Sequence, residues 1–275
     1  MNDQRVAEVV DGLLDAYRTG TPVAPPTETH AGFTVDQAYE AQLAQVTAWR
    51  AQGRVVRGHK VGLTSVAIQR QLNVDSPDYG HLLEDMFIPD STPIPVDRFI
   101  APRVEPEIGF VLKKTLSGPG VTASEAIGAV DYAVAALEII DSRIEDWRIT
   151  LADTIADNAS SGGIILGSRP LPLDQIDVKN TGVVLYRNGE IVQTGAGGAV
   201  LGSPINALVW LANTIGALGV TLEAGSVVLP GALTAAVPGE PGDTVTAEFA
   251  GLGTVTAQFA SSDATDVTNN RQAMN

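Results

Sequence analysis

Two short stretches hold the carboxylates that this chain offers for chemistry. Pro102-Arg103-Val104-Glu105-Pro106-Glu107-Ile108-Gly109-Phe110-Val111-Leu112 is answered about thirty residues later by Ala136-Leu137-Glu138-Ile139-Ile140. If the first is a strand, its two-residue period sends Glu105 and Glu107 to one face. Glu138 stands alone in an apolar run, where a carboxylate needs a raised pKa or a compensating cation. Three converging carboxylates then read as a site for a hard divalent metal. On these residues alone, competing readings stay open. Glu105-x-Glu107 in an acidic protein is also what a solvated strand face looks like, and Pro106 implies an edge or a bulge. Glu138 can instead form a salt bridge to Arg103 or Arg143.

Two further groups stand in notable surroundings. Lys60 lies in Gly58-His59-Lys60-Val61-Gly62-Leu63-Thr64-Ser65. It reads either as a surface lysine or, near a metal, as a group whose pKa falls far enough for proton transfer or whose charge holds a substrate carboxylate. Asp78, in Asp75-Ser76-Pro77-Asp78-Tyr79-Gly80-His81, is either a turn cap or a general acid/base on a loop. His59 points to the strand face opposite Lys60 and is expected to be structural or to support the site from behind. His30, His59 and His81 are too scattered for a zinc site, no serine lies in a Gly-x-Ser-x-Gly elbow, and Gly195-Ala196-Gly197-Gly198 lacks the context of a phosphate loop.

The elements that must position these groups follow from periodicity. Val6, Val9, Val10, Leu13, Leu14 and Tyr17 predict a first helix ending at Gly20. Thr34 with Gln37 forms a capping-box pattern for a second, whose face is expected to be Tyr39, Leu43 and Val46. These helices are expected to form a lid or an oligomer contact. Arg54 to Leu63 reads as a strand leading into a short helix after Ser65, and Asp75 to His81 as a loop. Ser124 to about Val134 is expected to be helical and to feed the strand that holds Glu138. Thr150 to Ala159 reads as helix, with Ser160-Ser161-Gly162-Gly163 turning into a strand. Asn188-Gly189 marks a hairpin, Ser203-Pro204 starts another helix, and Val227–Leu229, Thr244–Phe249 and Thr254–Phe259 are strands. Their irregular alternation disfavours a TIM barrel or a doubly wound sheet. The fold class expected is α+β, a mixed β core with surrounding helices. Residues 1–260 are read as one catalytic domain, 1–53 as a helical segment packed on it, and 261–275 as a polar, disordered tail.

Bulk properties narrow the function classes. With 32 acidic against 17 basic residues and a net charge of −15, no broad footprint for nucleic acid exists. There is no cysteine, which removes thiolate chemistry and disulfides. Acidic residues among the first fifteen do not suit a targeting peptide, and no uninterrupted apolar stretch of about 20 residues is present. Cytoplasmic placement without membrane association is the default expectation.

Taken together and in order, Gly58-His59-Lys60-Val61-Gly62-Leu63-Thr64, Pro77-Asp78-Tyr79-Gly80, Arg103-Val104-Glu105-Pro106-Glu107, Leu137-Glu138-Ile139 and Asp157-Asn158-Ala159-Ser160 resemble the signatures of the 2-oxopent-4-enoate hydratases. The related 4-oxalocrotonate decarboxylases of the fumarylacetoacetate hydrolase superfamily share them. The resemblance implies a mixed β-roll, a homo-oligomer, and Mg²⁺ or Mn²⁺ held by Glu105, Glu107 and Glu138. It also implies proton transfer by Lys60 and Asp78, and substrate contacts at Ser160 and Gly231. The activity implied is hydration of 2-hydroxypenta-2,4-dienoate to 4-hydroxy-2-oxopentanoate in meta-cleavage degradation of aromatic compounds. Decarboxylation of 4-oxalocrotonate is the alternative, and a non-catalytic assembly subunit a third. Association with a neighbouring pathway enzyme is a further expectation.

Overall fold

The computed structural model describes residues 4–65, 69–70, 74 and 76–261. Most of the short helix expected after Ser65, Asp75 of the expected loop, and the tail from residue 262 lie outside the described residues.

Two sheets form the core. The larger, of eight strands, runs β2 (Asp78–Leu83), β1 (Val56–Gly62), β10 (Val227–Leu229), β5 (Arg103–Leu112), β6 (Val130–Ile140), β7 (Ser161–Leu166) and β3 (Phe87–Ile88), with β11 (Val237–Pro238) also on β5. The smaller, of five strands, runs β4 (Pro93–Ile94), β13 (Gly253–Phe259), β12 (Thr244–Phe249), β8 (Gly182–Arg187) and β9 (Glu190–Ala196). Strand β10 pairs parallel with β1 and antiparallel with β5, making the sheet mixed. This is the α+β, β-roll arrangement expected.

The two-residue period divides β5 into two surfaces. Val104, Ile108 and Phe110 are fully buried and join Leu137 and Ile139 of β6 in one apolar cluster with Leu185, Val245, Ala247, Val255 and Ala257 of the smaller sheet. Each such large side chain stabilises the fold by about 1.5–3 kcal/mol relative to exposure. Arg103, Glu105, Glu107 and Gly109 take the opposite face. The core therefore fixes which face of β5 carries charge.

Pro106 lies in a sheet interior, with no bulge at its register position opposite Leu137. Its carbonyl accepts from Leu233 N–H at 2.9 Å. A strand residue's N–H and C=O point to the same side, so the missing donor faces the irregular stretch between β10 and β11, where no ladder continues. The expectation of an edge or bulge gives way to a local gap in the ladder.

Helices α1 (Gln4–Thr19), α2 (Pro26–Thr29) and α3 (Val35–Ala51) come first, and the Thr34/Gln37 capping box of α3 is present in both bonds. The buried line of α3 is Ala38, Ala41, Gln42, Gln45, Val46 and Trp49, so of the expected Tyr39–Leu43–Val46 face Val46 is fully buried and Tyr39 and Leu43 lie half-buried beside it. Gln42 Nε2 donates to Tyr79 O and Ile155 O, each at 2.9 Å, and Gln45 Nε2 donates to Ala156 O at 2.7 Å. Buried amides here satisfy carbonyls at the end of α5 (Leu151–Ala156). The helix is an internal support behind β2 and α5, not a lid.

Helix α4 (Ala123–Ala129) begins at the Thr122 cap, and β6 takes over at Val130, earlier than expected. The Asn188-Gly189 turn has both residues at positive φ, 55° and 85°, as a two-residue hairpin requires. The segment Gly197–Gly216, which includes α6 (Pro204–Gly216), is long and apolar enough to cross a membrane by composition. Ile205, Leu208, Leu211 and Ile215 instead bury it in the main apolar cluster.

Candidate active site

Glu105 on β5 stands directly opposite Glu138 on β6, and Glu107 follows two residues along on the same face. One oxygen from each of the three lies within 4.8 Å of the others. Gly231 N–H donates to Glu107 Oε2 at 2.7 Å. Glu107 Oε1 and Glu138 Oε2 are buried without a hydrogen-bond donor, and Glu138 Oε1 has Lys60 Nζ at 3.4 Å as an ion-pair partner. Orphaned buried acceptors are costly, and an all-oxygen, all-anionic donor set is what a hard divalent cation takes. The residues fit such an ion. Burial, then Glu138, pushes Glu105 up to about 7. Burial, then the other two carboxylates, holds Glu107 well above its usual range, and burial raises Glu138 against the pull of Lys60.

Lys60 reaches this cluster from three strands away. On a flat sheet the β1 to β6 separation is about 14 Å, yet Lys60 Nζ lies 3.4 Å from Glu138 Oε1. The sheet must curl for these tips to meet. Burial pulls the Lys60 ammonium down, but Glu138, Asp78, Glu105 and Glu107 together more than offset this and hold it above its ordinary value. The fall expected for Lys60 is therefore not produced by the protein groups alone.

Asp78 is not on a loop. It opens β2, a strand buried throughout, and pairs with Gly62 while Lys60 pairs with Gly80. Pairing places Lys60 and Asp78 on one face, and His59 and His81 on the other with ring centroids 4.9 Å apart. Burial raises the Asp78 carboxyl, with Lys60 opposing. The structural placement expected for His59 holds.

Ser160 comes from a tight turn after α5, where Asn158, Ala159 and Ser160 all have positive φ, 52°, 51° and 54°. The helix expected to run to Ala159 stops at Ala156 because this left-handed turn follows. Asn158 holds the turn to β2, accepting from His81 N–H at 2.8 Å and donating to His81 O at 2.9 Å. Arg143 holds it from the other side, with Nε 2.7 Å from Asp157 Oδ1 and Nη2 3.0 Å from Asp157 O. Arg143 is thus committed to Asp157, and Arg103 lies over the Trp147 ring at 4.4 Å. Neither takes Glu138; its ion-pair partner is Lys60.

A cavity of about 330 Å³ is lined by Lys60, Asp78, Glu105 and Ser160. Leu63, Val74, Ile140, Trp147, Ile149 and Leu151 give the remainder an apolar wall. Thr154, also in the wall, shares a 3.2 Å hydrogen bond with Ser160. Gly231 meets Glu107 and sits against Thr64, where a Cβ would lie 2.1 Å from Thr64 Oγ1. Its placement positions a carboxylate. Trp147, Thr154 and the apolar wall carry no motif that sequence reasoning could single out; only Thr150-x-x-Asp153, a cap pattern, hints at the turn that presents them.

A family model described as "Fumarylacetoacetate (FAA) hydrolase C-terminal" matches residues 26–260. The chain is 46% identical over 261 residues to a 2-keto-4-pentenoate hydratase of Paraburkholderia xenovorans (strain LB400), covering 95% of this chain and 97% of that one. It is 43% identical over 233 residues to a 2-oxo-hept-4-ene-1,7-dioate hydratase of Escherichia coli, covering 82% and 87%. The structure resembles 4-oxalocrotonate decarboxylase from Pseudomonas putida G7 complexed with magnesium and adipate, with a TM-score of 0.90, 36% identity, and coverage of 94% and 98%. With the matched region spanning both sheets and every residue of the acidic site, this chain belongs to the fumarylacetoacetate hydrolase family.

Proposed function

We propose that the chain is a divalent-cation-dependent hydratase that converts 2-hydroxypenta-2,4-dienoate to 4-hydroxy-2-oxopentanoate. Glu105, Glu107 and Glu138 hold Mg²⁺ or Mn²⁺ in this reading. The observation that carries it is their convergence within 4.8 Å beside Lys60 and Asp78, which with Glu105 line a cavity whose other walls are largely apolar. A divalent cation supplies Lewis acidity at the substrate's carboxylate and 2-oxygen, a bidentate oxygen pair.

The protein groups account for the rest. Lys60 and Asp78 carry the proton that leaves O2 and arrives at C5, which turns the dienol into a 2-oxo-3-enoate. Water then adds, its oxygen to C4 and a proton to C3. Burial keeps the Asp78 carboxyl a readier proton carrier than an exposed aspartate. Compensation of the three glutamates by a cation would weaken the electrostatic push that holds Lys60 high, leaving Asp78 as its uncompensated partner, and would bring Lys60 closer to releasing its proton. Ser160, fixed by Thr154, contacts the substrate from the wall.

The apolar remainder of the cavity favours hydration of a monoacid over decarboxylation of a diacid, whose far carboxylate needs a cation or donors. Pure protein with Mg²⁺ is expected to bleach the ultraviolet absorbance of the dienoate and to yield the hydroxy-oxo acid. Glu138→Gln should weaken Mn²⁺ binding, measured by calorimetry, by more than the ~10–100-fold that changes around a ligand shell cost, and should abolish turnover. Full turnover in excess chelator, or turnover of 4-oxalocrotonate alone, would overturn the proposal.

A further inference from the structure

Arg103, Glu105 and Glu107 form one row on β5, all on the face that carries the site. The Arg103–Ile140 rung lies two residues from the Glu105–Glu138 rung. That step is about 7 Å, close to the span of an extended six-carbon chain. Ile140, the partner of Arg103 on β6, lines the cavity, so a ligand that runs from the glutamate cluster along β5 would bring a second carboxylate to the level of Arg103. The guanidinium is nevertheless absent from the cavity wall, and Trp147 stands in its place. Trp147 lines both this cavity and a second one, whereas Arg103 lines only the second, its guanidinium 4.4 Å from the indole centroid. Phe99, Pro238 and Glu240 also line that second, surface cavity.

Trp147 is held in this screening position. Its indole N–H donates to Ala101 O at 3.0 Å, and its carbonyl accepts from Ile149 N–H at 2.9 Å. Asp146 and Trp147 both occupy the left-handed region, with φ of 56° and 55°. Consecutive non-glycine residues enter it only when their surroundings over-determine them.

We infer that Trp147 is the specificity-determining residue of this cavity, an aromatic screen that hides Arg103 and so commits the site to monoacids with an apolar tail rather than diacids. The inference rests on the proposed binding of a substrate carboxylate at the glutamate cluster. Removing the indole exposes a guanidinium at the distance of a second carboxylate, and a charge-assisted bond made there is worth about 10-fold or more in affinity.

The test measures calorimetric dissociation constants for hexanoate and hexanedioate in the presence of Mg²⁺, and reads their ratio. The wild type should prefer hexanoate. Trp147→Ala should shift the ratio toward hexanedioate by about 10-fold or more, and Trp147→Ala with Arg103→Met should lose that gain. Trp147→Phe, which keeps a ring over Arg103, should retain the wild-type ratio. Arg103→Met in the otherwise native chain should leave the ratio unchanged, a result that does not depend on how well the Trp147→Ala chain folds. An unchanged ratio in Trp147→Ala, a gain that survives in the double variant, or a loss of hexanedioate binding on Arg103→Met alone would overturn the inference. Wild-type turnover of 2-hydroxypenta-2,4-dienoate is judged separately, so failure of the hydratase reading is distinguishable from failure of the screen.

Discussion

Gly62 leaves room on β1 for the Asp78 carboxyl: a Cβ there would lie 2.1 Å from Asp78 Oδ1 and 3.4 Å from Lys60 Nζ. Gly62→Ala must therefore displace Asp78, while none of the atoms nearest the added Cβ belongs to Glu105, Glu107 or Glu138, so the glutamate cluster keeps its geometry. A shift of about 1 Å in a reacting group costs on the order of 100-fold in rate. The expected outcome is turnover lowered by about that factor with Mn²⁺ affinity retained, measured by steady-state kinetics beside calorimetry. Unchanged turnover would remove Asp78 from the proton path. At this scale the sequence reveals groups whose type clashes with their neighbours. Glu138 in an apolar run and Lys60 between glycines are of that kind. Gly62, Thr154 and Trp147 stay hidden, because their importance lies in what stands against them and not in what they are.

The turn that presents Ser160 depends on an ion pair buried beneath it. Arg143 bonds Asp157 through its Nε and through its backbone N–H, stacks on Tyr17 at 4.3 Å, and faces Asp141 at 3.8 Å. Burial pushes Asp157 up to about 6 even with Arg143 opposing, so loss of the guanidinium leaves carboxylates that nothing compensates. Arg143→Met should lower stability by about 3–5 kcal/mol, read from urea unfolding at pH 7.5, whereas an unperturbed midpoint would show that the turn stands without it. Elements with local signals were legible: the α3 capping box, the Asn-Gly hairpin and the Ser-Pro start of α6 each need only neighbouring residues. Strand β2 was not, since Pro77, Asp78 and Gly80 read locally as a turn. Pairing with β1 and complete burial override that reading. The face of α3 differs from the expected one for a related reason: Gln42 and Gln45 look solvent-seeking until carbonyls at Tyr79, Ile155 and Ala156 are brought to them.

Across the whole molecule, the sheet carries its charged site on one face and a neutral histidine pair on the other side of β1 and β2. Burial, each other and Arg50 hold His59 well below its usual pKa, while burial and Arg50 bring His81 down to about 4. A histidine depressed in the folded state contributes stability that is complete above its ordinary value near 6.5 and is lost as pH falls toward the folded value. For His81 alone the loss is about 2 kcal/mol by pH 5. Urea midpoints at pH 7.5 and pH 5 should show a pH-dependent loss that shrinks by about that amount in His81→Phe; equal pH dependence in both chains would refute the assignment. The strands themselves were largely readable, but their order was not, for no local pattern says that β10 inserts between β1 and β5. That insertion has a consequence in time. Leu229 pairs with Lys60, and Gly231 bonds Glu107 across a separation of 124 residues. During synthesis, the strands bearing Lys60 and Glu105 emerge early and must wait, as two unjoined sheet edges, for the last quarter of the chain. Long-range pairings of this kind form late, so the site is the last thing this protein completes. Pulse-labelled hydrogen exchange should find the amides of Leu112, Gly231 and Leu233, which bond across this junction, becoming protected together with those of Val227–Leu229, after the amides of α1 and α3.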